Sequence, residues 1–314
     1  DLLRDSHMRR RQFLTTLGAA GASAMLIPLS ATSASARPER AATSARAKVT
    51  ALIGSYTSSN PPGHGLNIAH RTSAGALRPA GEVDGVPDVS WLAWHPDHQH
   101  LYVTNEREQG SLTALDVNGH VPKVINAVPS GGAAPTHATV HPEREYLLAA
   151  NYGDGTVAVH RINDDYSIGD RTDLVRHEGA NRQAHAHQVV VDPSGAWVVA
   201  VDLGADSVYV YGLDANSGKL TQNQQLRMPA GNGPRHLAFH PNAAHAYLLS
   251  ELKSVITVLA WDHKAGRFTP GQVIGTRERD AGGEDFPAEI ALDRDGRFVY
   301  ASNRGDDTIA TLTV

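Results

Sequence analysis

Apolar and polar positions along this chain fall into short runs that recur at a long, regular interval. Runs rich in Val, Leu, Ala and Tyr are broken by a tight-turn dipeptide at His95-Pro96, His141-Pro142, Asp192-Pro193, His240-Pro241 and Asp293-Arg294. Successive dipeptides lie 46, 51, 48 and 53 residues apart, an interval typical of propeller blades. A short apolar run precedes each dipeptide and another follows it, at residues 101–104, 147–150, 198–201, 247–249 and 298–301. Two strands therefore flank each turn. A third follows at 155–161, 206–212, 254–261 and 307–314, with a more variable fourth before the next unit. Ten places beyond the start of every dipeptide stands a polar residue, Asn105, Asn151, Asp202, Ser250 or Asn303, so the register does not slip.

These runs lack the 3.6-residue period that stacked helices need. Trp261-Asp262 is a lone Trp-Asp pair without its Gly-His partner, which sets the chain apart from WD40 arrays. The fold expected is all-β, a β-propeller of four-stranded antiparallel blades that bury their faces against one another. Residues 52–56 resemble the second strand of a unit, so the first blade starts without a first strand of its own. Val314 falls in the third strand of the sixth unit, so about six blades are present.

The N-terminus changes the picture of where this domain works. After Met8 come Arg9, Arg10 and Arg11, then Phe13 and Leu14, an apolar stretch from Leu17 to Leu29, and the small residues Ala34, Ser35 and Ala36. Basic, apolar and cleavable segments in that order make a signal peptide, and the arginine pair resembles the twin-arginine export signal of bacteria. We expect residues 1–36 to be leader and signal, 37–48 a flexible linker, and 49–314 the propeller. The exported protein would then be periplasmic or extracellular, with no membrane association once the signal is removed.

Composition narrows the chemistry. At 41% hydrophobic and 19% charged, the chain is an ordinary globular protein, which excludes disorder and coiled coil. Removing residues 1–36 takes away four Arg and two Asp and moves the formal charge from -5 to -7. No basic stripe exists to neutralise phosphates, so a nucleic-acid partner is not expected. Cysteine is absent, which excludes disulfides and thiol catalysis. There is no G-x-S-x-G elbow and no P-loop, so serine hydrolase and nucleotide readings lack support.

In a propeller the start of each innermost strand and the end of the second surround one mouth of the central channel. Four places before the turn dipeptides stand His137, His236 and Glu289, with His187 five before and His185 seven before. At the eleventh place beyond stand Glu106, Tyr152, Glu251 and Arg304, and Arg235 adjoins His236. Imidazoles, carboxylates and guanidinium groups are thereby gathered around one opening, as a ligand site requires. His95, His141 and His240 belong to the opposite end, where a histidine before proline caps its turn. The repeated Asn105, Asn151, Asp202 and Asn303 read mainly as residues that satisfy backbone donors.

Two bland alternatives stay open. Glu106 and Glu251 could form a structural ion network with Arg304 and Arg235. His185 and His187 point to one side of a strand, a metal-ligand spacing, and a divalent ion held with Glu289 or Glu251 is conceivable. Nearby arginine would repel such an ion, so the site is read without metal, and no cofactor is expected.

The motifs Gly54-Ser55-Tyr56-Thr57, Thr104-Asn105-Glu106, Ala150-Asn151-Tyr152-Gly153, His185-Ala186-His187, Asp202-Leu203-Gly204, Gly233-Pro234-Arg235-His236, Ser250-Glu251-Leu252, Ala288-Glu289-Ile290 and Ser302-Asn303-Arg304-Gly305 occur in order. Together they resemble the blade signatures of the seven-bladed propeller lactonases, a family that includes bacterial 6-phosphogluconolactonase and fungal carboxy-muconate lactonizing enzymes. The resemblance implies a C-terminally truncated chain, short of a fourth strand, a seventh blade and the closing strand of the first by on the order of sixty residues; the alternative is a genuine six-bladed ring without strand exchange. It implies a monomeric hydrolase acting on a sugar-type or related lactone. Glu251 or His187 would activate water, Arg235 and Arg304 would stabilise the oxyanion, and His236 and His137 would protonate the leaving alkoxide. Glu106, His137, His185, Glu289, Asn303 and Arg304 would hold the substrate. A non-catalytic binding module and a muconate-type lactonizing enzyme are the rival readings. The export signal departs from the family, because 6-phosphogluconolactone arises in the cytoplasm.

Overall fold

The computed structural model describes residues 50–314 apart from 120, 144, 181 and 279–281. The signal and linker expected at 1–48 lie outside the described residues. Every regular element described is a strand, and the strands form six antiparallel sheets in chain order. Blade 1 holds β1 (Thr50–Gly54), β2 (Leu66–Arg71) and β3 (Leu77–Val83). Blade 2 holds β4 (Val89–Trp94), β5 (His100–Asn105), β6 (Ser111–Asp116) and β7 (Lys123–Pro129). Blade 3 holds β8 (Pro135–Val140), β9 (Tyr146–Asn151), β10 (Thr156–Ile162) and β11 (Ile168–Arg176). Blade 4 holds β12 (Ala186–Val191), β13 (Trp197–Asp202), β14 (Ser207–Leu213) and β15 (Leu220–Arg227). Blade 5 holds β16 (Pro234–Phe239), β17 (His245–Ser250), β18 (Val255–Asp262) and β19 (Arg267–Gly275), and blade 6 holds β20 (Phe286–Leu292), β21 (Phe298–Arg304) and β22 (Thr308–Thr313). The four-stranded blade thus describes the middle four sheets, while blades 1 and 6 have three strands each.

The core consists of seams between blades. Successive side chains of a strand face opposite sides, and both sides are apolar here. In β9, Leu147 and Ala149 pack toward blade 2, while Tyr146, Leu148 and Ala150 pack toward blade 4. Five such clusters join the six blades in sequence. Among the described residues no apolar cluster joins blade 6 to blade 1, and Tyr300 and Ile309 are exposed on blade 6.

One local feature positions the mouth. The innermost strand of each of blades 2 to 6 has a register break at its start, between Val89/Trp91, Pro135/His137, Ala186/Gln188, Pro234/His236 and Pro287/Ile290. A β-bulge leaves the extra residue outside the ladder and re-aims it. The residues passed over are Ser90, Thr136, His187 and Arg235, with Ala288 and Glu289 both passed over in blade 6. Thus His187 and Arg235 are equivalent positions. The hydroxyls of Ser90 and Thr136 donate to the Pro135 and His187 carbonyls at 3.1 and 3.2 Å, each reaching the next blade's inner strand. Arg235 makes the same step to the Ala288 carbonyl.

Candidate functional site

A carboxylate between two guanidinium groups forms the centre of the mouth. Glu251 Oε2 lies 3.0 Å from Arg235 Nε and 3.0 Å from Arg304 Nη2. The Arg235 Nε–H is not aimed along that contact, so this pair is ionic rather than an in-line hydrogen bond. Arg235 is enclosed, whereas Arg304 is 51% exposed and also donates to the Phe286 carbonyl at 2.8 Å. Burial lowers the Arg235 pKa from its ordinary value, a trend that Glu251 opposes. The ion pairing open at the sequence level for Glu251 is present. Glu106 instead accepts a 2.6 Å hydrogen bond from the Tyr56 hydroxyl. Burial raises the Glu106 carboxyl, against the pull of Tyr56, Ser90 and Arg235.

Deeper in the channel three imidazoles meet, two of them against Trp91. His236 is the hub, its ring centroid 5.6 Å from His137, 5.1 Å from His187 and 5.7 Å from Trp91, and Trp91 packs on His137 at 4.0 Å. Burial pushes His137 and His187 well below the usual histidine value, with Arg235 and His236 adding to it. Both rings are neutral at pH 7, and the Nδ1 of each is buried without a hydrogen-bond partner. Burial also lowers His236, against the pull of Glu289. Its neutral ring donates Nδ1–H to Glu289 Oε1 at 3.1 Å. Burial would raise the Glu289 carboxyl, but His236 and Arg235 outweigh it and hold the group below its ordinary range.

The structure separates the remaining candidates. His185 donates Nδ1–H to the Tyr152 carbonyl at 2.8 Å and stacks on the Tyr152 ring at 4.4 Å, while His187 meets that ring edge-on at 5.6 Å. His185 Nδ1 is thus engaged by backbone, which leaves Nε2 as the ring nitrogen that can face a ligand. The Asn303 amide donates to the Thr276 carbonyl at 2.9 Å and to Thr308 Oγ1 at 3.2 Å, binding within its own blade and its approach loop. At the opposite face His141 and His240 cap their turns, with Nδ1 accepting from Glu143 and Asn242 N–H groups at 3.2 and 3.0 Å. A shallow depression lined by Gln109, Gly110 and Gly132 lies on the flank of β6 and β7 and contains none of the mouth residues.

Tyr56 and Trp91 were missed at the sequence level, although their signal was present. Trp91 stands four places before its dipeptide, in the register of His137, His236 and Glu289, and Tyr56 continues the eleventh-place series into blade 1. Trp91 carries no charge, and Tyr56 lies in the one blade that has no turn dipeptide to count from.

The fold and this mouth define a propeller with a polar channel end, in which neutral imidazoles lie beside an arginine-carboxylate cluster. Residues 50–314 match the family described as "Lactonase, 7-bladed beta-propeller", and the chain belongs to that family. It is 30% identical over 275 residues to a 6-phosphogluconolactonase of Bacillus subtilis, covering 85% of this chain and 78% of the relative. The structure of the Pseudomonas aeruginosa periplasmic gluconolactonase PpgL superposes with a TM-score of 0.78 at 28% identity, covering 84% of this chain and 78% of that one. A Lactobacillus plantarum protein superposes with a TM-score of 0.79 at 31% identity, covering 85% and 79% respectively.

Proposed function

We propose that this chain is a lactone hydrolase that opens sugar-type lactones by water attack at the channel mouth. The observation that carries the reading is His187, a buried neutral imidazole with an unpartnered Nδ1, placed within electrostatic reach of Arg235. The family membership and the names of its relatives support the same class of reaction.

A neutral imidazole takes the proton of an attacking water. Glu251 suits that role less well, because its Oε2 already contacts both guanidinium groups at 3.0 Å. As the water oxygen bonds to the lactone carbonyl carbon, negative charge develops on the carbonyl oxygen, and Arg235 and Arg304 stabilise it. Glu251 holds those two groups in position. Collapse of the tetrahedral intermediate breaks the ring C–O bond, and the imidazolium formed at His187 returns its proton to the leaving alkoxide, directly or through His236. The product is the hydroxy acid, with the elements of water added and no redox change.

Charge favours an unphosphorylated substrate. Both arginines are shared with Glu251, and Glu106 and Glu289 stand nearby, so the described mouth residues offer no uncompensated pair of cations for a phosphate dianion. Export by the twin-arginine route is part of this reading, because an exported enzyme meets lactones that are not cytoplasmic phosphoesters. We further propose a monomer without membrane association. Acid release from glucono-δ-lactone and from its 6-phosphorylated form tests the assignment. The expected kcat/KM for the unphosphorylated lactone is at least about tenfold higher, a difference of ~1.4 kcal/mol. Equal or reversed preference rejects the charge argument, and no turnover across a lactone panel favours a binding module.

A further inference from the structure

We propose that the turn between β4 and β5, at the face opposite the mouth, binds one divalent transition-metal ion through His95, Asp97 and His100. The Asp97 carboxylate lies between two imidazoles, with Oδ1 3.1 Å from His95 Nδ1 and Oδ2 2.8 Å from His100 Nδ1. The ligand atoms of all three residues lie within 4.8 Å of one another. Separations near 3 Å are those of adjacent ligands around an ion with bonds of about 2.1 Å. Two imidazoles and one carboxylate suit zinc, cobalt, nickel or copper and are a poor set for magnesium or calcium. The ion takes the place of the proton that His100 Nδ1 shares with the carboxylate and displaces the 3.3 Å contact by which His95 Nδ1 accepts the Asp97 N–H, and the partly exposed turn leaves solvent to complete its coordination.

The ligands are braced from behind. His100 stacks on Tyr166 with centroids 3.6 Å apart and planes 9° from parallel, and His95 meets the same ring edge-on at 5.2 Å. Tyr166 is fixed in turn, its carbonyl accepting from the Tyr102 hydroxyl at 3.0 Å and its backbone at φ 63°, a conformation that few non-glycine residues adopt. Asp97 Oδ1 accepts the N–H groups of Gln99 and His100 at 2.8 and 3.1 Å. Support of this kind fixes ligand orientation before an ion arrives.

The repeat supplies its own comparison. Blade 5 carries His240, Asn242 and His245 at the same offsets, with a carboxamide where blade 2 has a carboxylate. There His240 is used by the turn at both ring nitrogens, its Nε2–H donating to the Gly296 carbonyl at 3.0 Å and Nδ1 accepting from Asn242 at 3.0 Å, whereas His95 makes the second of these contacts at a longer 3.3 Å, from the Asp97 N–H. Blade 3 uses His141 alike and has Tyr146 at the second histidine's place. Of the five turns, the one in blade 2 alone combines two imidazoles with an acid.

Dialysis of the full chain against micromolar Zn2+, with bound metal counted per chain, tests the site, and circular dichroism checks each variant's fold. Asp97→Asn keeps the turn in the form blade 5 uses, and His100→Phe keeps the stack on Tyr166. The expected result is one Zn2+ per chain, bound at least roughly tenfold more weakly by Asp97→Asn and lost from His100→Phe, with lactone hydrolysis unchanged in both. Absence of stoichiometric binding by the wild type, or unaltered affinity in either variant, overturns the proposal.

Discussion

At the scale of single residues the site runs on burial. The His187 and His137 imidazoles are held neutral chiefly because the channel desolvates them, with Arg235 raising the cost of a second positive charge. If His187 is the base, activity requires its unprotonated form, so kcat/KM stays flat through neutrality and falls only at pH values below the ordinary histidine value of about 6.5. A pH-rate profile with its acid limb at or above that value contradicts this assignment. The same shifts act on stability. Between the depressed folded values and about 6.5 the unfolded chain binds protons that the folded chain refuses, so stability rises with pH across that window and is lost as the pH falls through it. Thermal unfolding measured from pH 7 to pH 5 should show that fall, and His137→Phe should make it shallower. Glu251 acts differently. Replacing it by Gln leaves Arg235 with only the more distant influence of Glu289, and because the pair is 15–17% exposed the cost falls below the ~3–5 kcal/mol of a fully buried pair. Removing the half-exposed Arg304 costs at most about 1 kcal/mol. Urea midpoints of the Glu251→Gln and Arg304→Ala variants compare the two.

At the scale of elements, the bulge at the start of the inner strands of blades 2 to 6 decides what faces the channel. The sequence register placed His187 one position away from His137 and His236, and the bulge explains why all three nevertheless meet. That detail was not legible, because a period-two pattern reads through a bulge without marking it. The approach to β16 has a second device. The Asp206 carboxylate accepts the N–H groups of Gly231 and Gly233 at 2.8 and 2.7 Å and pairs with Arg182 at 2.9 Å. Gly233 has a φ of 62°, where a side chain would be strained and would strike Leu252. Asp206 thus fixes the loop that leads into Arg235. Asp206→Ala, which leaves those backbone donors unsatisfied, should lower stability by ~1–3 kcal/mol and reduce kcat more than it raises KM. Unchanged kcat in a folded variant separates the loop from the position of Arg235.

At the scale of the whole molecule, the seams between blades carry the fold, and the sequence made them plain. Leu248 is fully buried between blades 4 and 5, so Leu248→Ala should cost about 2–5 kcal/mol in equilibrium unfolding. The five turn dipeptides and the fixed polar residue ten places on announced a propeller because every blade repeats the same hydrogen-bonding problem. The gathering of Arg235, Glu251, Arg304, His236 and Glu289 at one mouth was legible for the same reason, since equivalent positions point to one axis. Partners within the mouth were not. Glu106 faces Tyr56 rather than an arginine, and His185 is engaged by the Tyr152 backbone, choices of side-chain direction that spacing does not encode. The measurement that tests the account most directly is the steady-state rate of acid release from glucono-δ-lactone, above spontaneous hydrolysis, by the wild type and by His187→Ala. General-base chemistry at His187 requires a loss of roughly 10²-fold or more in kcat with the fold intact, whereas a variant as active as the wild type contradicts it.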